Sequence, residues 1–69
     1  MLNLLATFAR NFNVSVADAY VLPAVFERSA EKVGMTPLAL VTETSRNQKL
    51  GEYLANVARV VAAEDRKAA

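Results

Sequence analysis

Apolar residues recur three and four positions apart along most of this chain, which is the spacing of an amphipathic α-helix. The clearest example falls near the end and predicts a helix over residues 48–64. Its apolar residues are Leu50, Leu54, Val57 and Val61, with Tyr53 and Val60 beside them. Mixed charges and no stop signal follow this pattern, so we expect residues 66–69 to fray.

A second apolar pattern predicts a helix over residues 2–12, in which a narrow polar strip lies opposite a broad apolar face. The residues of this face are Leu2, Leu4, Leu5, Phe8, Ala9 and Phe12. A face of this width indicates burial from more than one side. Asn13 is suited to the left-handed turn that ends such a helix.

Residues 16–33 form the longest apolar-rich stretch and predict one helix, with Ser15 as its N-cap and Asp18 near the positive end of its dipole. Pro23 lies inside this stretch, lacks an N–H group and crowds the carbonyl of residue 19. It therefore predicts either a kink or a break. We favour a continuous helix kinked at Pro23, because no capping residue precedes the proline.

A tight corner between two helices is predicted at Gly34. Glycine ends a helix in the left-handed conformation without a Cβ penalty. Thr36 then offers its hydroxyl to the free N–H groups of the next helix, and Pro37 suits the first helical position. A short third helix is predicted over residues 37–45, and Asn47 is placed to cap the helix after it.

These elements predict an all-α fold: a compact bundle of four short helices, the second kinked at Pro23, packed orthogonally or antiparallel through short connections. Residues 1–69 are expected to form a single helical domain. The predicted core consists of Leu5, Phe8, Phe12, Leu22, Phe26, Val33, Leu40, Leu50, Leu54, Val57 and Val61.

The apolar content of the chain points to a partner. Apolar residues make up 54% of the sequence, above the roughly 45–50% of an average soluble domain, and a domain this small buries a limited share of its surface. We predict a homodimer formed by apolar faces of the first two helices. The candidate interface residues are Leu4, Phe8, Tyr20, Val21, Ala24 and Val25. Alternatively, the second helix is the central helix of the monomer and the other three surround it.

The corner at Gly34 also fits the spacing of a helix-turn-helix, with helices about 16–33 and 37–45 as the motif. The second helix of this motif would present Leu38 and Val41, which are poor readers of base edges. The candidate DNA-binding residues are Arg28, Lys32, Thr36, Thr42, Ser45, Arg46 and Lys49. Alternatively, the corner joins two packed helices and needs glycine only for its backbone.

A row of small residues follows one side of the last predicted helix. It consists of Gly51, Ala55, Ala58 and Ala62. Small residues in a row let another helix approach closely, although alanine is also the best helix former. Gly51 is harder to explain by helix propensity, since glycine inside a helix costs about 1 kcal/mol relative to alanine. We predict close packing at Gly51.

The sequence offers little for catalysis. It contains neither cysteine nor histidine, which removes thiolate chemistry and the commonest general base and metal ligand. Two glycines are too few for a glycine-rich phosphate loop. We expect no enzyme activity, no cofactor and no bound metal.

Charge and hydropathy narrow the range of partners further. A formal net charge of +1 gives no strong attraction to nucleic acid or to an anionic membrane. No apolar run approaches the length of about 18 residues that suggests a membrane span, so we expect a cytoplasmic protein.

Together these features predict a small non-catalytic protein–protein interaction or regulatory module that self-associates. A helix-turn-helix DNA-binding protein is the alternative.

Overall fold

The computed structural model describes residues 2–68, and within that range the chain is helical with no strand. The helices are α1 (Leu2–Asn11), α2 (Val16–Ala19), α3 (Leu22–Val33), α4 (Pro37–Thr44) and α5 (Gln48–Ala68). The predicted all-α class is confirmed. There are five helices in the described range where four were predicted.

The additional helix arises at Pro23, where two separate helices replace the continuous kinked helix predicted over residues 16–33. The chain turns at Tyr20 and Val21, and α3 begins immediately afterwards with the proline in its first turn. An N–H group in the first turn of a helix has no intrahelical acceptor, so proline loses nothing there. Val21 occupies the N-cap position with a nearly helical backbone and no side-chain cap, so the break forms without the capping residue whose absence favoured a kink.

The corner between α3 and α4 forms as predicted. Gly34 adopts a left-handed backbone with φ of 71°, and the N–H of Met35 donates to the carbonyl of Ala30. The Thr36 hydroxyl accepts a hydrogen bond from the Ala39 N–H at 3.1 Å, which caps α4. Backbone geometry and capping chemistry therefore agree at this position.

Two asparagines also act where the sequence indicated. Asn13 has a positive φ of 56° directly after α1, and the side chain of Asn47 accepts a hydrogen bond from the Leu50 N–H at the start of α5. Ser15 stands at the N-cap position of α2 but makes no side-chain cap hydrogen bond.

Most of the predicted core is buried, with two clear exceptions. Leu5, Phe8, Leu22, Phe26, Leu40 and Leu54 are buried, whereas Phe12, Leu50 and Val57 are partly buried against the core. Val33 is 61% exposed and Val61 is 40% exposed, so their prediction as core residues is wrong. Val33 is the last residue of α3, and Val61 lies on the outer edge of the buried face of α5. The core gains residues that were not predicted: Val14, Val21, Val25, Ala30, Val41, Ala55, Ala58 and Ala62.

The orientation of α5 about its own axis explains why Val61 is exposed and not part of the core. Its buried face includes the predicted row of small residues, Gly51, Ala55, Ala58 and Ala62. Close packing at Gly51 is confirmed, because a Cβ built there would overlap the ring of Phe12. The small residues of α5 therefore pack inward together with Leu54, and Val61 lies at the edge of the core.

Polar contacts hold the second half of α5 against α2 and the end of α1. The Tyr20 hydroxyl donates to the carboxylate of Asp65, and Arg66 pairs with Asp18 at 2.9 Å. Arg59 donates to the carbonyl oxygens of Phe12 and Asn13 at 2.8 and 3.1 Å, where α1 has ended. The helix continues to Ala68, four residues beyond the predicted end.

Candidate interaction groove

A solvent-open groove runs between α3 and α5, with a volume of about 390 Å³. We call it the α3–α5 groove and define it by its lining. Its lining residues are Ala24, Val25, Arg28, Ser29, Lys32 and Val33 of α3, Leu40 of α4, and Leu50, Tyr53, Leu54, Val57 and Val61 of α5. This lining is apolar on the α5 side and mixed on the α3 side, which is typical of a site that binds a partly apolar partner.

The exposed surface of α5 extends the apolar area beyond the groove. Tyr53 is 62% exposed and Val60 is 60% exposed, although both belong to an otherwise well-packed helix. With half-buried Val57 and with Val61 they line a second, shallower recess. We call Tyr53, Val57, Val60 and Val61 the α5 stripe.

Exposed large apolar side chains are concentrated at this groove. Val33, Tyr53, Val60 and Val61 lie in or beside it, whereas the other four are distributed over the rest of the molecule. Those four are Leu4 on α1, Val16 on α2, Tyr20 in the turn before α3, and Leu38 on α4. A contiguous apolar surface is a stronger indication of a binding site than single exposed residues.

Positive charge lies along one wall of the groove. Arg28 and Lys32 are one turn apart on α3 and both line the groove, whereas Glu27 and Glu31 are on the side of α3 that turns away from it. The two ion pairs found within residues 2–68 join Arg46 to Glu43 and Arg66 to Asp18. Arg28 and Lys32 are in neither pair, so both cations are available to a partner.

The predicted interface on the first two helices is only partly exposed. Phe8, Val21 and Val25 are buried within the chain and are not available to a partner. Leu4, Tyr20 and Ala24 are exposed, and Ala24 lines the α3–α5 groove. The break at Tyr20 and Val21 gives α3 its own orientation, which turns Val21 and Val25 inward.

The predicted DNA-binding residues have different surroundings in the structure. Arg28 and Lys32 line the α3–α5 groove, and the Thr36 hydroxyl is occupied by capping α4. The hydroxyls of Thr42 and Ser45 donate to backbone carbonyls of their own helix at 2.9 and 2.7 Å. Arg46 pairs with Glu43, and Lys49 is exposed in the first turn of α5.

The pKa of Tyr20 is shifted by its hydrogen-bond partner. The hydrogen bond that Tyr20 donates to Asp65 raises the pKa of the phenol above its ordinary value of 10.0, because ionisation would place two negative charges together. Within residues 2–68 no three metal-ligating side chains come together, and no helix there is long and apolar enough to cross a bilayer.

Comparison of the chain with models of known protein families, with curated proteins and with solved structures gives no match. Sequence reasoning missed Tyr53 and Val60 as surface residues. The sequence signal for their exposure was the width of the apolar part of the last helix. This helix carries one row of small residues and a second row of large ones, whereas a helix that packs against a core on one side needs only one apolar row.

Proposed function

We propose that the protein is a non-catalytic interaction module that self-associates through the α3–α5 groove and the α5 stripe. The observation that carries this proposal is the concentration of exposed Val33, Tyr53, Val60 and Val61 at one groove. An amphipathic helix laid into an apolar groove is a recurrent mode of protein recognition. The chain has such a helix in α5, whose stripe is itself one wall of the groove.

The apolar stripe costs solubility unless something covers it. Monomeric proteins rarely keep large contiguous apolar areas in water, and aromatic residues such as Tyr53 are common at the centres of interfaces. A second copy of the chain is available as a partner wherever the protein is present. This proposal keeps the homodimer predicted from composition and moves its interface from the first two helices to α3 and α5.

Sedimentation or light scattering of the intact chain tests the proposal. We expect a dimer at high micromolar concentration, and we expect Val60→Glu to raise the dissociation constant at least about 30-fold, which is the effect of removing an interface hot spot. Val16→Glu is the matched control, because Val16 is 94% exposed and lies outside the groove. A monomeric wild type, or equal weakening by both variants, contradicts the proposal.

The corner at Gly34 supports a second candidate, a helix-turn-helix that binds DNA. The left-handed Gly34 and the cap at Thr36 give the tight junction that this motif requires. Leu38 and Thr42 on α4, and Ser45 directly after it, are exposed but offer no long polar side chain to reach base edges. Titration with duplex DNA at about 50 mM salt tests this candidate, because phosphate contacts are strong at low salt. Absence of binding under these conditions excludes DNA binding as the function.

A further inference from the structure

We infer that the occupant of the α3–α5 groove is α5 of a second copy, lying antiparallel to the first α5 about a two-fold axis at Val57. In this arrangement Glu64 of the second copy lies beside Lys32. The inference rests on the proposed function and adds to it the register, the direction and the charged contact. It follows from the spacing along α5, the direction of α3 relative to α5, and the charges of the groove.

The spacing along α5 provides a seam centred on Val57. Leu50, Val57 and Glu64 are seven residues apart, and Tyr53 and Val61 lie four residues before and after Val57. Intervals of three and four keep such residues on one strip of a helix, as in the seam of a coiled coil. In an antiparallel pair, residues equally distant from Val57 face each other.

The facing positions are then complementary. Tyr53 meets Val61 of the second copy, so an exposed aromatic ring covers an exposed valine. Leu50 lies opposite Glu64 of the second copy, at the end of the groove. The two-fold axis makes every such contact occur twice, which is typical of an isologous dimer.

The direction of α3 places Lys32 at that same end. Tyr20 lies two residues before α3 and contacts Asp65, while Asp18 pairs with Arg66. The beginning of α3 is therefore beside the end of α5. Lys32, near the end of α3, is then beside the beginning of α5, where Leu50 also lines the groove.

Charge decides between the two directions of the second helix. An antiparallel α5 brings Glu64 of the second copy to Lys32, with Arg28 one turn further along the same wall. A parallel α5 would leave Glu64 at the opposite end of the groove, away from Lys32. Glu64 is exposed and is in neither of the ion pairs found within residues 2–68.

The surface required is compatible with the size of the chain. A stable interface of standard size buries about 800 Å² per partner, against a total accessible surface of 4753 Å² for the described residues. About one sixth of the surface is enough, and α5 alone runs almost the full 33 Å length of the molecule.

A charge-exchange experiment tests the contact in the full chain. Lys32→Glu alone places two acidic pairs in its homodimer, and Glu64→Lys alone places two basic pairs, so each dissociation constant should rise about 10-fold or more. Mixing the two variants places opposite charges at both positions of a heterodimer. We therefore expect native mass spectrometry to show the heterodimer in excess over both homodimers, and about 1 M salt to remove the preference.

Two controls keep the charge experiment interpretable. Glu31→Lys reverses a charge on the other side of α3 and should leave the dissociation constant unchanged. Circular dichroism should show unchanged helix content in all three variants, because each altered side chain is exposed.

Single cysteines test the register directly, because the natural chain has none. With oxidised glutathione as oxidant, Val57→Cys should form a disulfide with the second copy, since residue 57 meets its own counterpart at the axis. Glu64→Cys should not link to itself, because the two residues lie about 21 Å apart along antiparallel helices. A disulfide at residue 64 would instead indicate parallel helices and overturn the inference.

The outcomes separate the inference from the proposal beneath it. Val60→Glu could disrupt the dimer while the charge exchange and the position of the cysteine have no effect on it. That outcome leaves self-association in place and overturns the antiparallel register. A wild type that remains monomeric overturns both.

Discussion

At Gly34 the backbone is left-handed and open space surrounds the position of a side chain, whereas at Gly51 the backbone is helical and the ring of Phe12 fills that position. The first glycine is needed for its φ angle and the second for its missing Cβ. Helix propensity alone does not distinguish the two glycines. A Cβ is therefore unfavourable at both positions, for a different physical reason at each.

We predict that Gly51→Ala lowers the free energy of unfolding by about 1 kcal/mol. Helix propensity favours alanine by about 1 kcal/mol, but displacing the half-buried ring of Phe12 costs more, as overpacked cores do. In a Phe12→Leu background the ring is absent, and the same substitution should stabilise the chain by about 1 kcal/mol. Urea unfolding of the four chains measures this cycle, and equal effects in both backgrounds would contradict the packing argument.

Substitution at Gly34 tests the backbone without a packing term. Gly34→Ala should lower the free energy of unfolding by about 1 kcal/mol, because a Cβ is unfavourable at φ of 71°. Gly34→Asn should cost less, since asparagine tolerates this conformation. Thermal unfolding of both variants provides the measurement, and an equal loss for alanine and asparagine would speak against backbone strain as the cause.

At the scale of elements, α5 is the helix whose two apolar rows have different roles. The small residues of α5 pack against the body of the protein. Its larger apolar residues line the groove: Leu50, Tyr53, Leu54, Val57 and Val61. The end of α5 is fixed by Tyr20 and Asp18, which together link it to α2. The four-residue helix α2 would be marginal in isolation, so α2 and the end of α5 depend on each other.

We predict that loosening this link exposes the last turns of α5 while the core stays intact. Tyr20→Phe combined with Asp18→Ala removes both side-chain contacts to Asp65 and Arg66. Amide hydrogen exchange should then accelerate over residues 62–68 and remain unchanged around buried Leu54. Uniform acceleration along α5 would show that the link supports the whole helix.

The same hydrogen bond makes a pH-dependent prediction. Because the pKa of Tyr20 is raised in the folded chain, its stabilising contribution is complete below pH 10.0 and is lost as the pH rises through the folded-state value. In a Tyr53→Phe chain, where Tyr20 is the remaining tyrosine, phenolate absorbance should have its midpoint above pH 10. Asp65→Asn should lower that midpoint, and an unchanged midpoint would refute the hydrogen bond as the cause.

At the scale of the whole molecule, the interior leaves the apolar α5 stripe uncovered. Core residues from all of α1, α3, α4 and α5 meet around fully buried Leu22, Phe26 and Leu54. The α5 stripe remains outside this core, so the folded chain still has apolar surface to bury. Association and stability should therefore be linked.

We predict that the melting temperature depends on chain concentration. For a populated dimer, a tenfold increase in concentration adds about 1.4 kcal/mol to the free energy of unfolding, which corresponds to a rise of about 5 °C for a molecule of this combined size. Val60→Glu should melt at a temperature independent of concentration. A concentration-independent wild type would contradict self-association, and Val16→Glu should behave as wild type does.

The local signals in the sequence determined the helical class, the corner at Gly34, the cap at Thr36 and the close packing at Gly51. These depend on φ angles, on hydroxyl groups next to free N–H groups and on side-chain size, all of which belong to single residues. The small row of α5 was also legible, since its spacing is that of one helix face.

Tertiary structure alone decided which apolar face of α5 turns inward, and where residues 16–33 divide. Both choices depend on what packs opposite: the ring of Phe12 fits only the small row, and Val21 and Val25 become core residues only after the chain turns before Pro23. An apolar pattern states that a face can be buried and leaves open what will bury it. The groove between α3 and α5 is the consequence, and it exists only in the folded chain.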